Sequence, residues 1–314
     1  MNILFCFPRV QAEPWVAELR KNLPDARIEV WQAAAVDPLM ADYGVVWAPP
    51  QAFIDEQSRA PGSRMKALFN LGAGVDALMQ LDLPAHLPVV RLQDAGMGPQ
   101  MVEYVLHAVA RHVRELDVYE AALKSGDWPF RKPRARADFP VGVLGLGVLG
   151  SQVAQALHGL GYPVNGWSQS PKQMAGVQCF HGAAGLDDFL AATRILVCLL
   201  PLTPQTENVL NASSLGRLQA GAYVINVARG GHVVDADLIA LLDSGHLAGA
   251  MLDVFRTEPL PSEHPFWRHP KITLTPHISA RTLRSESLAQ IAGKIQALER
   301  GDALDGVVNR SRGY

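Results

Sequence analysis

Val141-Gly142-Val143-Leu144 runs without a break into Gly145-Leu146-Gly147-Val148-Leu149-Gly150, and Val153, Ala154 and Leu157 follow at helical spacing. An apolar strand, a GxGxxG turn and a helix in immediate succession restrict the fold more than any other stretch of the chain. The first glycine permits a tight turn, the second lets backbone approach a pyrophosphate, and the third allows close helix–strand packing. The helix start then points unpaired N–H groups and a partial positive charge at the phosphates. The bland alternative is a glycine-rich turn with no ligand. Its placement between a strand and a helix favours the dinucleotide site.

Around this turn, short apolar runs alternate with amphipathic stretches, the signature of βαβ units on a parallel sheet. Runs at 2–7, 27–31, 43–47 and 66–71 read as strands of a first series, with Trp15, Val16 and Leu19 on a helix between the first two. A long helix starts near Pro99, carrying Val102, Leu106, Val109 and Val113. After a Pro/Arg-rich stretch at 127–140, strands are expected at 141–144, 163–167, 194–200, 222–227, 249–254 and 272–275. A helical tail over 282–299 places Leu288, Ile291, Ile295 and Leu298 on one face. At 314 residues the chain has room for about two domains of ordinary size.

The end of the strand after the glycine turn reports on the cofactor. Trp167-Ser168-Gln169-Ser170-Pro171-Lys172 falls where an NAD enzyme presents Asp or Glu to the ribose 2′-hydroxyl. The absence of a carboxylate at Ser168 removes the barrier to a 2′-phosphate, although no arginine occupies the loop to clamp it. NADP is therefore favoured over NAD, with Lys172 either near the phosphate or simply solvated.

Three motifs end later strands. Asn226-Val227-Ala228-Arg229-Gly230 sets an arginine beyond one, Asp253-Val254-Phe255 precedes Glu258-Pro259-Leu260 beyond the next, and Thr275-Pro276-His277 closes the last. Parallel sheets bind ligands outside their carboxyl ends, so these residues share one edge with the glycine turn. Arg229 can hold a carboxylate through its rigid fork of donors. His277 can give a proton to an oxygen as hydride reaches the adjoining carbon, and take it back in reverse. Glu258, in contact with the imidazole, would orient it and favour its charged form. Taken singly, each residue has an ordinary reading as an ion pair, a loop carboxylate or a capping histidine. Their joint placement points to hydride transfer on a small 2-oxo or 2-hydroxy acid.

These motifs, with Leu71-Gly72-Ala73-Gly74-Val75-Asp76, Val46-Trp47, Gly96-Met97-Gly98, Gly249-Ala250-Met251-Leu252-Asp253 and the ending Arg310-Ser311-Arg312-Gly313-Tyr314, resemble the D-isomer-specific 2-hydroxyacid dehydrogenases over essentially the full length. The resemblance implies an α/β chain of two Rossmann-like doubly wound domains with a cleft between them. Residues 1–98 plus 282–314 would bind substrate, and 99–281 would bind NAD(P). It implies a catalytic set of Arg229, Glu258 and His277, with the backbone of Ala73 and Gly74 receiving the substrate carboxylate. Trp47 and Met97 would border the pocket. Val148, Leu149, Pro201, Thr206, Ala228 and Asp253 would join Gly145, Gly147, Gly150, Ser168, Gln169, Lys172 and His277 along the cofactor, Asp253 facing the carboxamide. It further implies a homodimer reducing small 2-oxo acids such as glyoxylate and hydroxypyruvate.

Composition bounds the competing readings. A net charge of −2 gives no bulk attraction to nucleic acid or anionic membrane, and the basic run Arg131, Lys132, Arg134 and Arg136 reads as a solvated or interface arm. No run nears the ~20 apolar residues that span a bilayer. Cys6, Cys179 and Cys198 form no CxxC pair and read as buried reduced thiols. With no basic leader before the first apolar run, a cytoplasmic protein is expected. His264, His269 and His277 match no zinc-ligand spacing, so no metal is expected. A dehydrogenase of the same family for another 2-hydroxy acid, or a non-enzymatic NAD(P)-sensing binding protein, would retain the same motifs.

Overall fold

The computed structural model describes residues 1–7, 12–33 and 39–313. Tyr314 of the terminal motif lies outside the described residues. The chain divides into two compact units, Met1–Gly96 with Thr282–Tyr314, and Met97–Arg281.

The first unit holds strands β1 (Asn2–Cys6), β2 (Arg27–Val30), β3 (Tyr43–Val46), β4 (Ala67–Asn70) and β5 (Val89–Arg91). Its early helices are α1 (Glu13–Asn22), α2 (Gln51–Ile54) and α3 (Asp76–Met79). All strand pairs are parallel, in the order β2-β1-β3-β4-β5. Helix α1 begins with Glu13 and a proline in its first turn and ends with Arg20 and Lys21, the polarity that its dipole favours.

The second unit opens with α4 (Met97–Val113) and α5 (Leu116–Lys124), then runs β6 (Val141–Leu144), α6 (Val148–Gly159), β7 (Val164–Ser168), β8 (Val177–His181), α7 (Leu186–Ala191) and β9 (Ile195–Cys198). It continues through α8 (Ala212–Leu215), β10 (Ala222–Asn226), α9 (Asp235–Asp243), β11 (Leu247–Leu252) and β12 (Ile272–Leu274). Its seven strands, again parallel, lie in the order β12-β11-β10-β9-β6-β7-β8. Strands β6, β9 and β10 are buried along their whole length, as expected of parallel strands covered by helices on both faces.

Helix α10 (Arg284–Arg300) belongs to the first unit, and Gly301 ends it in the left-handed region at φ +80°. Leu288, Ile291 and Ile295 have no exposed surface and join Ile3, Phe5, Leu19 and Phe69 in one cluster. Each such burial contributes about 1.5–3 kcal/mol before entropy.

Two strands escaped the pattern reading. Strand β5 has three residues, too few for a period, and edge strand β8 alternates half-buried with exposed positions. The three cysteines are free; Cys6 and Cys198 are buried, whereas Cys179, on β8, is only half-buried. Among the described residues no helix is long and apolar enough to cross a membrane, and no cluster of potential ligands could hold a metal ion.

Candidate active site

Register aligns the strand ends of the second sheet. Trp167 pairs with Leu144, Leu144 with Cys198, Cys198 with Asn226, Asn226 with Leu252, and Leu252 with Leu274. Because the strands are parallel, the chain leaves this row on one edge at every strand. Gly147, Pro201, Arg229 and His277 each stand three residues beyond it. Residues scattered over 131 positions of sequence thus gather on one rim, at which strand order also reverses between β6 and β9.

The glycine turn fits a dinucleotide. Gly145 has φ +113°, and a Cβ there would lie 2.7 Å from the Leu199 carbonyl oxygen. A Cβ on Gly150 would meet the Gly145 oxygen at 1.9 Å, so α6 packs against the turn as only glycine allows. At Gly147 a Cβ would meet nothing within 4 Å, which leaves open backbone where phosphates would approach. The N-terminus of α6 carries no side-chain cap, so its N–H groups are available to an anion. Val148 is exposed and Leu149 half-buried at the start of the same helix.

The cofactor loop differs in detail from the sequence picture. Ser168 is buried, and its hydroxyl donates to the Ser170 carbonyl at 2.8 Å. Lys172 folds back so that Nζ donates to the Leu146 carbonyl, bringing its charge against the glycine turn. Gln169 is exposed. After β9, Thr206 Oγ1 donates to the Pro201 carbonyl at 2.6 Å and accepts from the Thr203 N–H at 2.8 Å.

His277 Nδ1 lies 2.7 Å from Glu258 Oε2, and Glu258 Oε1 accepts from the Phe255 N–H at 2.9 Å. One ring nitrogen, Nδ1, is thereby fixed against the carboxylate. Both side chains remain partly exposed, 44% for His277 and 35% for Glu258. His277 itself sits at φ +54°, a left-handed conformation that a non-glycine residue holds only under outside constraint.

Asp253 supplies that constraint. It has no exposed surface; Oδ1 accepts from Thr275 Oγ1 at 2.5 Å and from the Ile278 N–H at 2.8 Å, and Oδ2 from the Ser279 N–H at 2.8 Å. Its own carbonyl accepts from the His277 N–H at 2.8 Å. The carboxylate expected beside the nicotinamide holds the loop that carries the histidine. Tyr104, on α4, extends the chain of bonds with its hydroxyl 2.5 Å from Thr275 Oγ1, and burial pushes its phenol well above the usual range, keeping the donor protonated.

Arg229 is held by its backbone. Its carbonyl accepts from Asn226 Nδ2 at 2.9 Å and lies 3.0 Å from His232 Nδ1, while Asn226 Oδ1 accepts from the Ala228 N–H at 3.1 Å. The guanidinium Nη1 donates to the Ala228 carbonyl at 2.7 Å. A Cβ on Gly230 would lie 1.8 Å from the Phe255 carbonyl carbon, so the Arg229 and Glu258 loops abut directly. A cavity of about 760 Å³ lined by Lys132, Arg134, Phe139 and Arg194 opens instead at the amino ends of β6 and β9, and takes no part in this arrangement.

In the first unit, Trp47 follows β3 and is 47% exposed, and the loop 71–75 follows the neighbouring β4. Asn70 Nδ2 donates to the carbonyls of Gly72 and Gly74 at 2.9 and 2.7 Å, shaping the loop that contains half-buried Ala73 and Gly74. Met97 opens α4 in the second unit and is buried. Sequence motifs did not single out Asn70, Tyr104, Asn226 or His232 as site residues, because each acts through contacts that only the folded chain creates.

Residues 106–279 match the sequence profile described as "D-isomer specific 2-hydroxyacid dehydrogenase, NAD binding domain". The chain is 46% identical to a glyoxylate/hydroxypyruvate reductase A of Serratia proteamaculans and 44% identical to one of Yersinia enterocolitica, each over the whole of both chains. Among solved structures, a D-isomer specific 2-hydroxyacid dehydrogenase from Xanthobacter autotrophicus Py2, in complex with NADPH and MES, superposes with a TM-score of 0.93 at 39% identity, covering 100% of this chain and 99% of that one. An NADPH-dependent glyoxylate/hydroxypyruvate reductase from Sinorhizobium meliloti, with NADP and sulfate, gives 0.90 at 36% identity with the same coverage.

Proposed function

The chain belongs to the D-isomer specific 2-hydroxyacid dehydrogenase family, and from that premise we propose that it reduces small 2-oxo acids, glyoxylate and hydroxypyruvate foremost, with NADPH. The observation that carries the reading is the His277–Glu258 pair at 2.7 Å on the rim shared with Arg229 and the glycine turn. When bound, the nicotinamide supplies the hydride. Arg229 receives the carboxylate and carbonyl of the 2-oxo acid. His277 passes its Nε2 proton to the carbonyl oxygen as that oxygen becomes an alkoxide, and Glu258 holds the resulting ring in orientation. Reduction draws on the protonated ring and oxidation on the neutral one, so the two directions carry opposite pH limbs. By the family resemblance, Trp47 and Met97 are the residues that restrict the substrate's side chain.

The 2′-phosphate of NADP finds no carboxylate at Ser168 and finds Lys172 drawn towards the glycine turn. The test is an assay of glyoxylate, hydroxypyruvate, pyruvate and phenylpyruvate with NADPH and NADH in parallel. The expected result is fastest turnover of the first two with NADPH, and reversal of cofactor preference in Ser168→Asp. Preference for phenylpyruvate would overturn the small-pocket reading, and preference for NADH the cofactor reading.

Self-association as a cytoplasmic homodimer is part of the same proposal. Trp128 and Phe130 are 91% and 93% exposed, and α5 just before them buries none of its residues, leaving Leu116, Val118 and Leu123 exposed. An apolar surface of this kind favours cover by another protein surface. Sedimentation should give twice the chain mass of 34.0 kDa, and Trp128→Ser with Phe130→Ser should weaken the association.

A further inference from the structure

His232 is a histidine with no exposed surface, and its two ring nitrogens reach two different loops. Nδ1 lies 3.0 Å from the Arg229 carbonyl oxygen, and Nε2 lies 3.3 Å from the Pro201 carbonyl oxygen. The Arg229 loop follows β10 and the Pro201 loop follows β9, neighbouring strands whose last residues, Asn226 and Cys198, are paired in register. Each carbonyl has a second donor from its own loop: Asn226 Nδ2 for Arg229, and Thr206 Oγ1 for Pro201. Those donors shape each loop separately. Further along, Asn208 N–H donates to the Gly231 carbonyl at 2.9 Å and Leu210 N–H to the His232 carbonyl at 2.8 Å, and Arg256 reaches both stretches. At the Arg229 and Pro201 carbonyls themselves the joining side chain is the imidazole.

We propose that His232 is a positioning residue that ties the loop of the carboxylate-binding Arg229 to the Pro201–Thr206 loop. The inference rests on the reading of Arg229 as the substrate arginine. A planar ring with nitrogens on opposite sides sets both the spacing and the angle between the two carbonyls, which a flexible side chain would not. Both partners are acceptors, so the doubly protonated ring satisfies both contacts, whereas a neutral ring leaves one carbonyl facing a lone pair. Burial disfavours the charged ring, but Cys198 and the two carbonyls outweigh it and raise the pKa above its ordinary value. The consequence is that the arginine stands in one place when the Pro201–Thr206 loop does, so a 2-oxo acid meets a preset guanidinium.

The test separates positioning from mere filling of space. His232→Phe keeps the ring and removes both N–H groups; His232→Asn keeps a donor but is too short to bridge two loops. Oxalate, an unreactive dicarboxylate that mimics a 2-oxo acid, is titrated calorimetrically into each full-length variant saturated with NADP⁺. Both variants should bind oxalate about tenfold more weakly, as expected for loss of one or two buried hydrogen bonds. The KM for glyoxylate should rise in step, while kcat and NADP⁺ affinity stay within about threefold. A purely structural role would lower the melting temperature or the fraction of chains that bind NADP⁺, and leave the oxalate affinity of the remaining chains unchanged. Wild-type oxalate affinity in either folded variant overturns the proposal. Arg229→Lys serves as the control: undiminished oxalate binding there would instead overturn the reading of Arg229 itself.

Discussion

His277 holds a backbone conformation at φ +54° that its own side chain disfavours, and Asp253 is the residue that makes it hold. Three hydrogen bonds converge on one buried carboxylate from Thr275, Ile278 and Ser279, on either side of the histidine. Asp253→Asn replaces one acceptor oxygen with an amide N–H, which then faces another donor in a buried setting. The expected cost is about 1–3 kcal/mol of stability, with kcat lowered roughly tenfold or more as the histidine loses its fixed position. Denaturant titration and steady-state kinetics on the same preparation check both. Unchanged kcat in the folded variant would remove Asp253 from the positioning of the acid. His277, Glu258 and Arg229 were legible in the sequence because strand ends in a parallel sheet are chemically exposed positions. His232, Asn226 and Tyr104 were not, because their hydrogen bonds, to the Arg229 and Pro201 carbonyls and to Thr275 Oγ1, leave no mark on hydrophobic spacing.

At the scale of elements, α4 carries a half-buried histidine. His112 stacks on Tyr223 of β10 with ring centroids 4.4 Å apart, and its Nε2 is buried without a hydrogen-bond partner among the described residues. Burial, with Arg134 nearby, pushes its pKa down to about 4. The unfolded chain takes up a proton near pH 6.5, whereas the folded chain resists until about pH 4. Stability from this site is therefore intact above pH 6.5 and falls as pH drops towards 4, by up to about 3 kcal/mol. His112→Phe should flatten that part of the stability–pH curve, measured by denaturant midpoints at pH 7, 6, 5 and 4. An equal acid slope in the variant would assign the loss to other groups. Helical periodicity did locate α4 and α10, since their buried faces recur every three or four residues. Strands β5 and β8 were invisible for the opposite reason: one is too short for any period, and the other lies at a sheet edge where burial is partial.

Over the whole molecule, each unit has its own apolar clusters and its own parallel sheet. The second unit is a single uninterrupted run of chain, Met97–Arg281, while the first needs α10 from the far end. Leu288, Ile291 and Ile295 close a cluster shared with the strands of the first sheet and with Val16 and Leu19 of α1. A chain truncated after Arg281 should therefore bind NADP⁺ through the second unit, while backbone amides of β1, β3 and β4 exchange rapidly with solvent. Slow exchange in those strands would mean that α10 is dispensable to the first sheet. The same split arrangement fixes a timetable for biosynthesis. The amino-terminal strands emerge from the ribosome first, yet their covering helix emerges nearly last. The nucleotide-binding unit can be complete while the earlier-made sheet has only α1 over the face that α10 will share, and in that interval apolar surface is open to a chaperone.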